Sequence, residues 1–195
     1  MAFTSGFYRS LGKAAAISIV AAASYAAIPE IKKDEGRVLT PYYDMAGILT
    51  DCDGNTKDVK IGNFRSDVEC DKITSENALD FGNNVADHLQ IIVPQKTFTS
   101  HVRFSYNIGK NAYNSSTTLK LTNRGDIAGG CEAMMKFICY KPTLDDTTPR
   151  VKIQGQPCYS KNHDHAVSNG LKLRRQREKK QCLQGLENAE EVNQH

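Results

Sequence analysis

The sequence predicts an α+β fold with two lobes, a small N-terminal β lobe followed by a larger helical lobe, behind an apolar N-terminal helix. Three observations indicate this order. Residues 14–28 carry no charge, residues 36–65 combine short apolar runs with turn signals, and apolar residues recur at steps of three and four from Ser75 onwards. We therefore divide the chain into an N-terminal segment, a folded domain and a polar tail, over residues 1–29, 30–185 and 186–195.

The N-terminal segment resembles an export or anchoring sequence. Arg9 and Lys13 precede the uncharged, Ala-rich residues 14–28. As a helix these residues rise about 22 Å, which is short of the roughly 30 Å hydrocarbon core of a membrane. The residues alone leave three interpretations open: a cleavable signal peptide with a small-x-small site at 24–26, an uncleaved but marginally stable membrane anchor, and an Ala-rich helix of the protein core.

The β lobe is predicted from residues 36–65, which are rich in Gly, Asp, Thr and Tyr. Turn signals occur at Asp53-Gly54-Asn55 and at Gly62-Asn63. Short apolar runs lie around these turns, so we expect a small, irregular antiparallel sheet. The residues of these runs are Val38, Leu39, Ile48, Leu49, Val59 and Ile61.

The helical lobe is predicted from five periodic stretches. Pro94 ends the first stretch, and Ser116 and Ser168 are candidate N-caps of later ones. In chain order the stretches run from Ser75 to Val93, from Phe98 to Gly109, from Ser116 through Leu119, from Ile127 to Ile138 and from Ser168 through Cys182.

A long stretch over residues 141–167 separates the last two helices. It contains three prolines and shows no periodicity, and a loop of this length in a compact domain is either functional or loosely ordered.

The cysteines indicate disulfides and not a metal site. They are dispersed, form no Cys-x-x-Cys pair and show no zinc-like spacing, and disulfides persist in oxidising compartments. The sequence alone does not choose their pairing. His163-Asp164-His165 lacks a third ligand nearby, so we expect no metal and no cofactor. The six cysteines are Cys52, Cys70, Cys131, Cys139, Cys158 and Cys182.

Two carboxylates and a hydroxyl form the candidate catalytic group: Glu35, Asp44 and Thr50. Glycoside hydrolysis needs a protonated acid that donates to the leaving oxygen. It also needs a second carboxylate, which either activates a water molecule or acts directly on the sugar carbon. A partly shielded Glu at a helix end can keep its proton near neutral pH, whereas an Asp at a sheet turn stays ionised. The same pattern also fits a solvated Glu and a turn Asp, so by itself it indicates a glycosidase only weakly.

A longer pattern is more specific. Glu35-Gly36 followed by Pro41-Tyr42-x-Asp44-x-x-Gly47-x-x-Thr50-x-Cys52-x-Gly54-x-Thr56 resembles the active-site signature of phage-type lysozymes. Segments at 68–70, 104–109, 116–131 and 170–183 are also similar to that family. Together they cover most of residues 31–185. The subgroup that the chain resembles is the lambdoid signal-anchor-release endolysins.

The resemblance implies a lysozyme-like fold and hydrolysis of the β-1,4 bond between N-acetylmuramic acid and N-acetylglucosamine in peptidoglycan. Glu35 is then the general acid, and Asp44 and Thr50 hold a water molecule on the opposite sugar face, which gives inversion. Asn107, Arg174 and Arg175 are candidate substrate-binding residues, and either arginine could pair with Glu35. We expect a monomer with no nucleic-acid partner.

The resemblance also bears on location and on the cysteines. It favours the uncleaved anchor: residues 11–28 would hold the enzyme at the host inner membrane, with its catalytic domain in the periplasm, until release. Within the implied architecture the preferred disulfides join neighbours, as Cys52–Cys70, Cys131–Cys182 and Cys139–Cys158.

Two other functions remain open at this point. One is a lytic transglycosylase, which uses one Glu and needs no catalytic Asp. The other is an inactive, secreted protein that only binds peptidoglycan.

Overall fold

The computed structural model describes residues 13–44, 47–140 and 166–192. Most of the loop over 141–167, with Cys158 and the His163-Asp164-His165 group, lies outside the described residues, as do Arg9 and the start of the N-terminal segment. The helices are α1 Lys13–Glu35, α2 Asp67–His88, α3 Gln95–Ile108, α4 Lys110–Ser115, α5 Thr117–Asn123, α6 Ile127–Ala133 and α7 Asn169–Val192. The strands are β1 Val38–Tyr43, β2 Leu49–Cys52, β3 Cys139–Tyr140 and β4 Ala166–Val167.

Helix α1 crosses the predicted boundary at residue 29 without interruption and leads directly to Glu35. Pro29 within it removes one backbone donor, which leaves the carbonyl of Tyr25 without its helical partner. Tyr25 is 55% exposed, so water can reach this side of the helix. The opposite side is buried in the core against α2 and α3, through Val20, Ala23, Ala27 and Ile31. Among the described helices, none is long and apolar enough to cross a membrane.

The β lobe contains one antiparallel hairpin, in which Tyr42 lies opposite Thr50. The expected sheet is therefore present but smaller than predicted, since Val59 and Ile61 lie outside its strands. Positive φ angles at Asp58 and Gly62 interrupt the extended backbone that a further strand would need. As a result Ile61 is 72% exposed instead of packed in a sheet.

Helix α2 begins at Asp67, so the predicted start at Ser75 was wrong. Ser66 caps the helix: its hydroxyl accepts from the Glu69 N–H at 3.2 Å, and the Glu69 carboxylate accepts from the Ser66 N–H at 2.7 Å. Only Cys70 and Thr74 are buried in its first two turns, and Val68 is 79% exposed, so these turns show no apolar periodicity. The capping box was the available signal. The helix also ends at His88, five residues before the predicted end.

Helix α3 is the centre of the helical lobe, and it covers most of the stretch predicted from Phe98 to Gly109. Every residue from 97 to 106 is buried, and α1, α2 and α7 all pack against it. The buried polar groups of α3 find distant partners. The Ser100 hydroxyl donates to the Glu178 carbonyl at 2.6 Å, and His101 Nδ1 lies 2.9 Å from the Tyr113 hydroxyl.

The remaining helices agree in part with the sequence. Ser116 and Ser168 cap α5 and α7, as predicted. The prediction of a helix through Ile138 was wrong: α6 ends at Ala133, and a 3-10 turn and then β3 follow it. The short helix α4 was not predicted. Helix α7 continues to Val192, beyond the expected end of the domain at residue 185.

Two disulfides of the preferred set are present among the described residues. Cys52–Cys70 ties the β lobe to α2, and Cys131–Cys182 ties α6 to α7. Cys139 is also disulfide-bonded, and its predicted partner lies outside the described residues.

Candidate active site

A cleft of about 380 Å³ lies between the two lobes. Its lining comes from the end of α1, the β hairpin, α2 and the end of α3. Glu35, Asp44, Thr50 and Asn107, four residues that the sequence singled out, all line it. Clefts of this kind, with a few converging polar groups, are the usual form of binding sites for extended ligands.

Glu35 is the last residue of α1, and Gly36 with a φ of +70° turns the chain into β1. The side chain of Glu35 is 21% exposed, and its Oε1 accepts a hydrogen bond of 2.6 Å from Arg174 Nη1. Gly54 passes closely over the same carboxyl group: a Cβ atom there would lie 3.2 Å from both Cδ and Oε2 of Glu35. The carboxyl group is thus held from one side by α7 and limited on the other by the hairpin.

Asp44 and Thr50 are fixed by the turn of the hairpin. The Asp44 carboxylate accepts from the Ile48 N–H at 2.8 Å, and the Thr50 hydroxyl donates to the Ile48 carbonyl at 2.9 Å. Burial, and then the charges of Glu35 and Asp44, raise the pKa of the Tyr42 phenol. Both carboxylates therefore act on the same side chain across the cleft.

Arg174 lies beneath the cleft and does not line it. Its side chain is 5% exposed, and it contacts Glu178 at 3.2 Å in addition to Glu35. Burial opposes its charge, but the carboxylates of Glu35 and Glu178 outweigh this effect and raise the pKa of Arg174 above its ordinary value. Arg174 consequently remains a cation beside Glu35.

Asp34, next to Glu35, anchors the same region. Its carboxylate has no exposed surface and accepts from Arg103 at 2.8 Å and from Arg177. Burial alone would raise the pKa of Asp34, but the hydrogen bonds from Arg103 and Arg177 bring it below its ordinary value. The ionised Asp34 therefore joins the end of α1 to α3 and α7.

Arg175 is also buried beneath the cleft and contacts Asn107. Its Nη2 donates to Asn107 Oδ1 at 2.7 Å, and its side chain has no exposed surface. The structure therefore places one predicted substrate-binding residue, Asn107, in the cleft wall, and places Arg174 and Arg175 one layer behind it.

The link between the lobes depends on Asp53, which sequence reasoning did not single out. Its buried carboxylate accepts from Thr74 at 2.6 Å and pairs with Arg37 at 2.7 Å, and its carbonyl accepts from the Tyr106 hydroxyl at 2.8 Å. Tyr106 lines the cleft beside Asn107. The turn signal at 53–55 could have indicated a constrained residue but not its partners.

Asn55 lines the cleft at the same turn and is 3% exposed. Its amide donates to Asp51 Oδ1 at 2.7 Å and to the Lys57 carbonyl at 2.9 Å. These bonds hold the turn that places Gly54 over Glu35.

Within the described ranges, no group of three or more His, Cys, Asp or Glu residues could hold a metal ion. The chemistry available in the cleft is that of the Glu35 and Asp44 carboxylates, together with Thr hydroxyls, Asn amides, Tyr phenols and a Lys ammonium group.

The chain is similar to several known proteins. The phage lysozyme family model matches residues 32–178. The SAR-endolysin of Pseudomonas phage phiKMV is 31% identical over 163 residues, which are 84% of this chain and 89% of that protein. The SAR-endolysin of bacteriophage PS119 is 30% identical over 104 residues. The matched part spans 62% of the PS119 protein and 53% of this chain.

Solved structures show the same fold. The endolysin from Escherichia coli O157:H7 phage FAHEc1 is 28% identical, with a TM-score of 0.62, over 80% of this chain and 90% of that one. The active form of the P1 phage endolysin Lyz is 21% identical, with a TM-score of 0.60, over 87% of this chain and 94% of that one. The predicted two-lobed, lysozyme-like α+β fold is thereby confirmed.

Proposed function

Because this chain belongs to the phage lysozyme family, we propose that it is an endolysin that hydrolyses the β-1,4 bond between N-acetylmuramic acid and N-acetylglucosamine in the wall of a bacterial host. The observation that carries the proposal is that Glu35, Asp44 and Thr50 line the same cleft. Family membership favours a glycosidase, and the placement of these three groups favours a hydrolytic reaction.

In the proposed reaction Glu35 donates a proton to the glycosidic oxygen as the bond breaks. Asp44 and Thr50 hold a water molecule that attacks the sugar carbon from the other face. The hairpin fixes both residues through Ile48, so the water site is preorganised before substrate binds. Arg174 orients the Glu35 carboxyl group from behind and does not touch the sugar.

Hydrolysis is favoured over transglycosylation by the second carboxylate. A lytic transglycosylase needs one acid and no water-binding Asp, whereas here Asp44 is fixed in the same cleft as Glu35. The test is product analysis of digested, purified cell wall. We expect new reducing ends from the wild type and at least a 100-fold slower release from Glu35→Gln.

The matched control is Glu76→Gln, because Glu76 is an exposed residue of α2 whose ion pair with Lys72 is 3.9 Å long. It should cleave at the wild-type rate. Products ending in 1,6-anhydro sugars would instead establish a transglycosylase. Binding to wall without any cleavage by the wild type would establish a peptidoglycan-binding protein.

We further propose that residues 1–29 form a signal-anchor that holds the chain at the inner membrane before its release to the periplasm. The names of the relatives from phages PS119 and phiKMV support this, as does the absence of charge over residues 14–28. In the described fold Val20 and Ala23 are core residues. The anchored form would therefore have α1 outside its place in the core.

Cell fractionation tests this location. We expect full-length protein in the inner membrane, and its transfer to the periplasm after an uncoupler is added. A shortened chain that begins near Ala27 would establish a cleaved signal peptide and overturn the anchor.

A further inference from the structure

Asn107 and Arg175 form a contact whose chemistry fixes the direction of an amide in the cleft wall. Asn107 is the second-last residue of the central helix α3, lies in the cleft wall and is half-buried. Arg175 approaches it from α7, with Nη2 2.7 Å from Asn107 Oδ1. A guanidinium group carries only donors, so the amide oxygen must face Arg175. The amide nitrogen then lies on the other branch of the planar group, where it can donate a hydrogen bond to a ligand.

Arg175 is well suited to hold this orientation because its own position is fixed. Its side chain is fully buried, its Nε lies 3.1 Å from Glu178 Oε2 one turn along α7, and its guanidinium lies 4.9 Å from the centre of the Phe104 ring. A hydrogen bond from a charged donor is about twice as strong as one between neutral groups. Reversal of the amide would place its N–H groups against this cation and is strongly disfavoured.

The orientation matters for some ligand groups and not for others. A sugar hydroxyl can donate or accept, so it tolerates either direction of the amide. A carbonyl oxygen can only accept, and it therefore requires the nitrogen to point into the cleft. The carbonyl that every amino sugar of a peptidoglycan strand carries is that of its N-acetyl group.

We propose that Arg175 is a positioning residue that holds the Asn107 amide as a donor to the cleft, and that this donor recognises the carbonyl oxygen of an N-acetyl group on the glycan. The inference rests on the proposed function and adds a specificity to it: strands that have lost N-acetyl groups bind less well. A site with an oriented donor discriminates against a ligand that leaves this donor unpaired.

The experiment compares kcat/KM on two preparations of the same glycan strands, one chemically de-N-acetylated and one re-acetylated after that treatment. We expect the wild type to prefer the N-acetylated strands by about tenfold or more. Asn107→Asp keeps an acceptor for Arg175 but has no donor, and Asn107→Ala removes the donor without adding a charge. In both variants the ratio of kcat/KM on N-acetylated strands to kcat/KM on de-N-acetylated strands should fall to between about 1 and 2, mainly through a change in KM.

Arg175→Lys tests the positioning role. It keeps a cation beside Glu178 but loses the planar fork. As a single substitution it should therefore lower the preference for N-acetylated strands by about threefold to fivefold. Combined with Asn107→Ala it should change the preference no further, since Arg175 acts through Asn107. Asn84→Asp is the matched control, because Asn84 pairs with Asn114 and does not line the cleft.

Retention of the full N-acetyl preference by Asn107→Ala would overturn the inference, whatever Asn107→Asp does. This outcome is distinct from failure of the proposed function, because the wild type would still cleave both kinds of strand. If the wild type cleaves neither, the proposed hydrolase function itself fails.

Discussion

Arg174 Nη1 lies 2.6 Å from Glu35 Oε1, although 139 residues separate the two in the chain. This contact joins the last residue of the N-terminal helix to the C-terminal helix directly beneath the cleft. It means that the position of the proposed general acid depends on how both ends of the domain pack.

Replacement of Arg174 should reduce both activity and stability. Arg174→Met leaves the Glu35 carboxylate without its cation and leaves Glu178 paired with Arg175 alone, and breaking a buried ion pair costs about 3–5 kcal/mol. Arg174→Lys keeps the charge but not the fork geometry, so it should cost less stability and still lower kcat by about tenfold. Wall-clearing rates and thermal unfolding measure the two effects. Lys180→Met, at an exposed position of the same helix, is the control. Wild-type kcat in Arg174→Lys would contradict the positioning role.

A methyl group at position 54 should reduce activity beyond its effect on stability. Gly54 has a φ of +79°, and a Cβ atom there would lie 3.2 Å from the Glu35 carboxyl carbon. Gly62 has a similar φ of +87°, but nothing lies within 4 Å of its Cβ position. Gly54→Ala and Gly62→Ala should therefore each lose about 1 kcal/mol of stability from backbone strain. Only Gly54→Ala should lower kcat, by about tenfold or more, because it displaces Glu35. Equal activities of the two variants would show that Glu35 tolerates the displacement.

His101 should make the free energy of unfolding sensitive to acid. Its imidazole is fully buried with Nδ1 2.9 Å from the Tyr113 hydroxyl, and burial lowers the pKa of His101 from 6.5 to about 4. The folded state thus binds fewer protons than the unfolded state in this range. The contribution of His101 is complete above pH 6.5 and is lost as the pH falls from 6.5 towards 4, by on the order of 3 kcal/mol.

Urea unfolding at several pH values checks this effect. His101→Gln should be less stable than the wild type at pH 7, yet lose less stability between pH 6.5 and 4. His88→Gln, which alters an exposed histidine of α2, should keep the wild-type pH dependence. If the free energy of unfolding of His101→Gln fell between pH 6.5 and 4 as steeply as that of the wild type, the acid sensitivity would belong to other groups.

The two described disulfides should affect different properties. Cys131–Cys182 has a sequence separation of 51 and Cys52–Cys70 one of 18, so the chain-entropy model assigns them about 4 and about 3 kcal/mol. Ser substitutions at both 131 and 182 should therefore lower stability more than Ser substitutions at both 52 and 70. The pair at 52 and 70 should lower activity more than the pair at 131 and 182, since Cys52 precedes Asp53 and the turn over Glu35. Denaturant unfolding and wall clearing distinguish these effects, and the reverse ranking in activity would contradict the role of the turn.

Local signals in the sequence identified part of the fold well. The N-cap serines Ser116 and Ser168 were correct because a cap depends on residues within one helical turn. The start of α2 was missed because its first turns bury little, although the Ser66 and Glu69 capping box marked it. Likewise, α3 was found from its apolar residues, but nothing local indicated that its polar residues are buried too.

What the sequence by itself determined is the family and the members of the proposed catalytic group, because Glu35, Asp44 and Thr50 lie within one short, specific signature. What only the tertiary structure decided is how these side chains are held: Arg174 on Glu35, Gly54 over the same carboxyl group, and Arg175 on the Asn107 amide. The physical reason is that apolar periodicity reports which face of a helix is buried. The partner of a buried polar group is set by the packing of helices that are distant in the chain, and no local pattern records it.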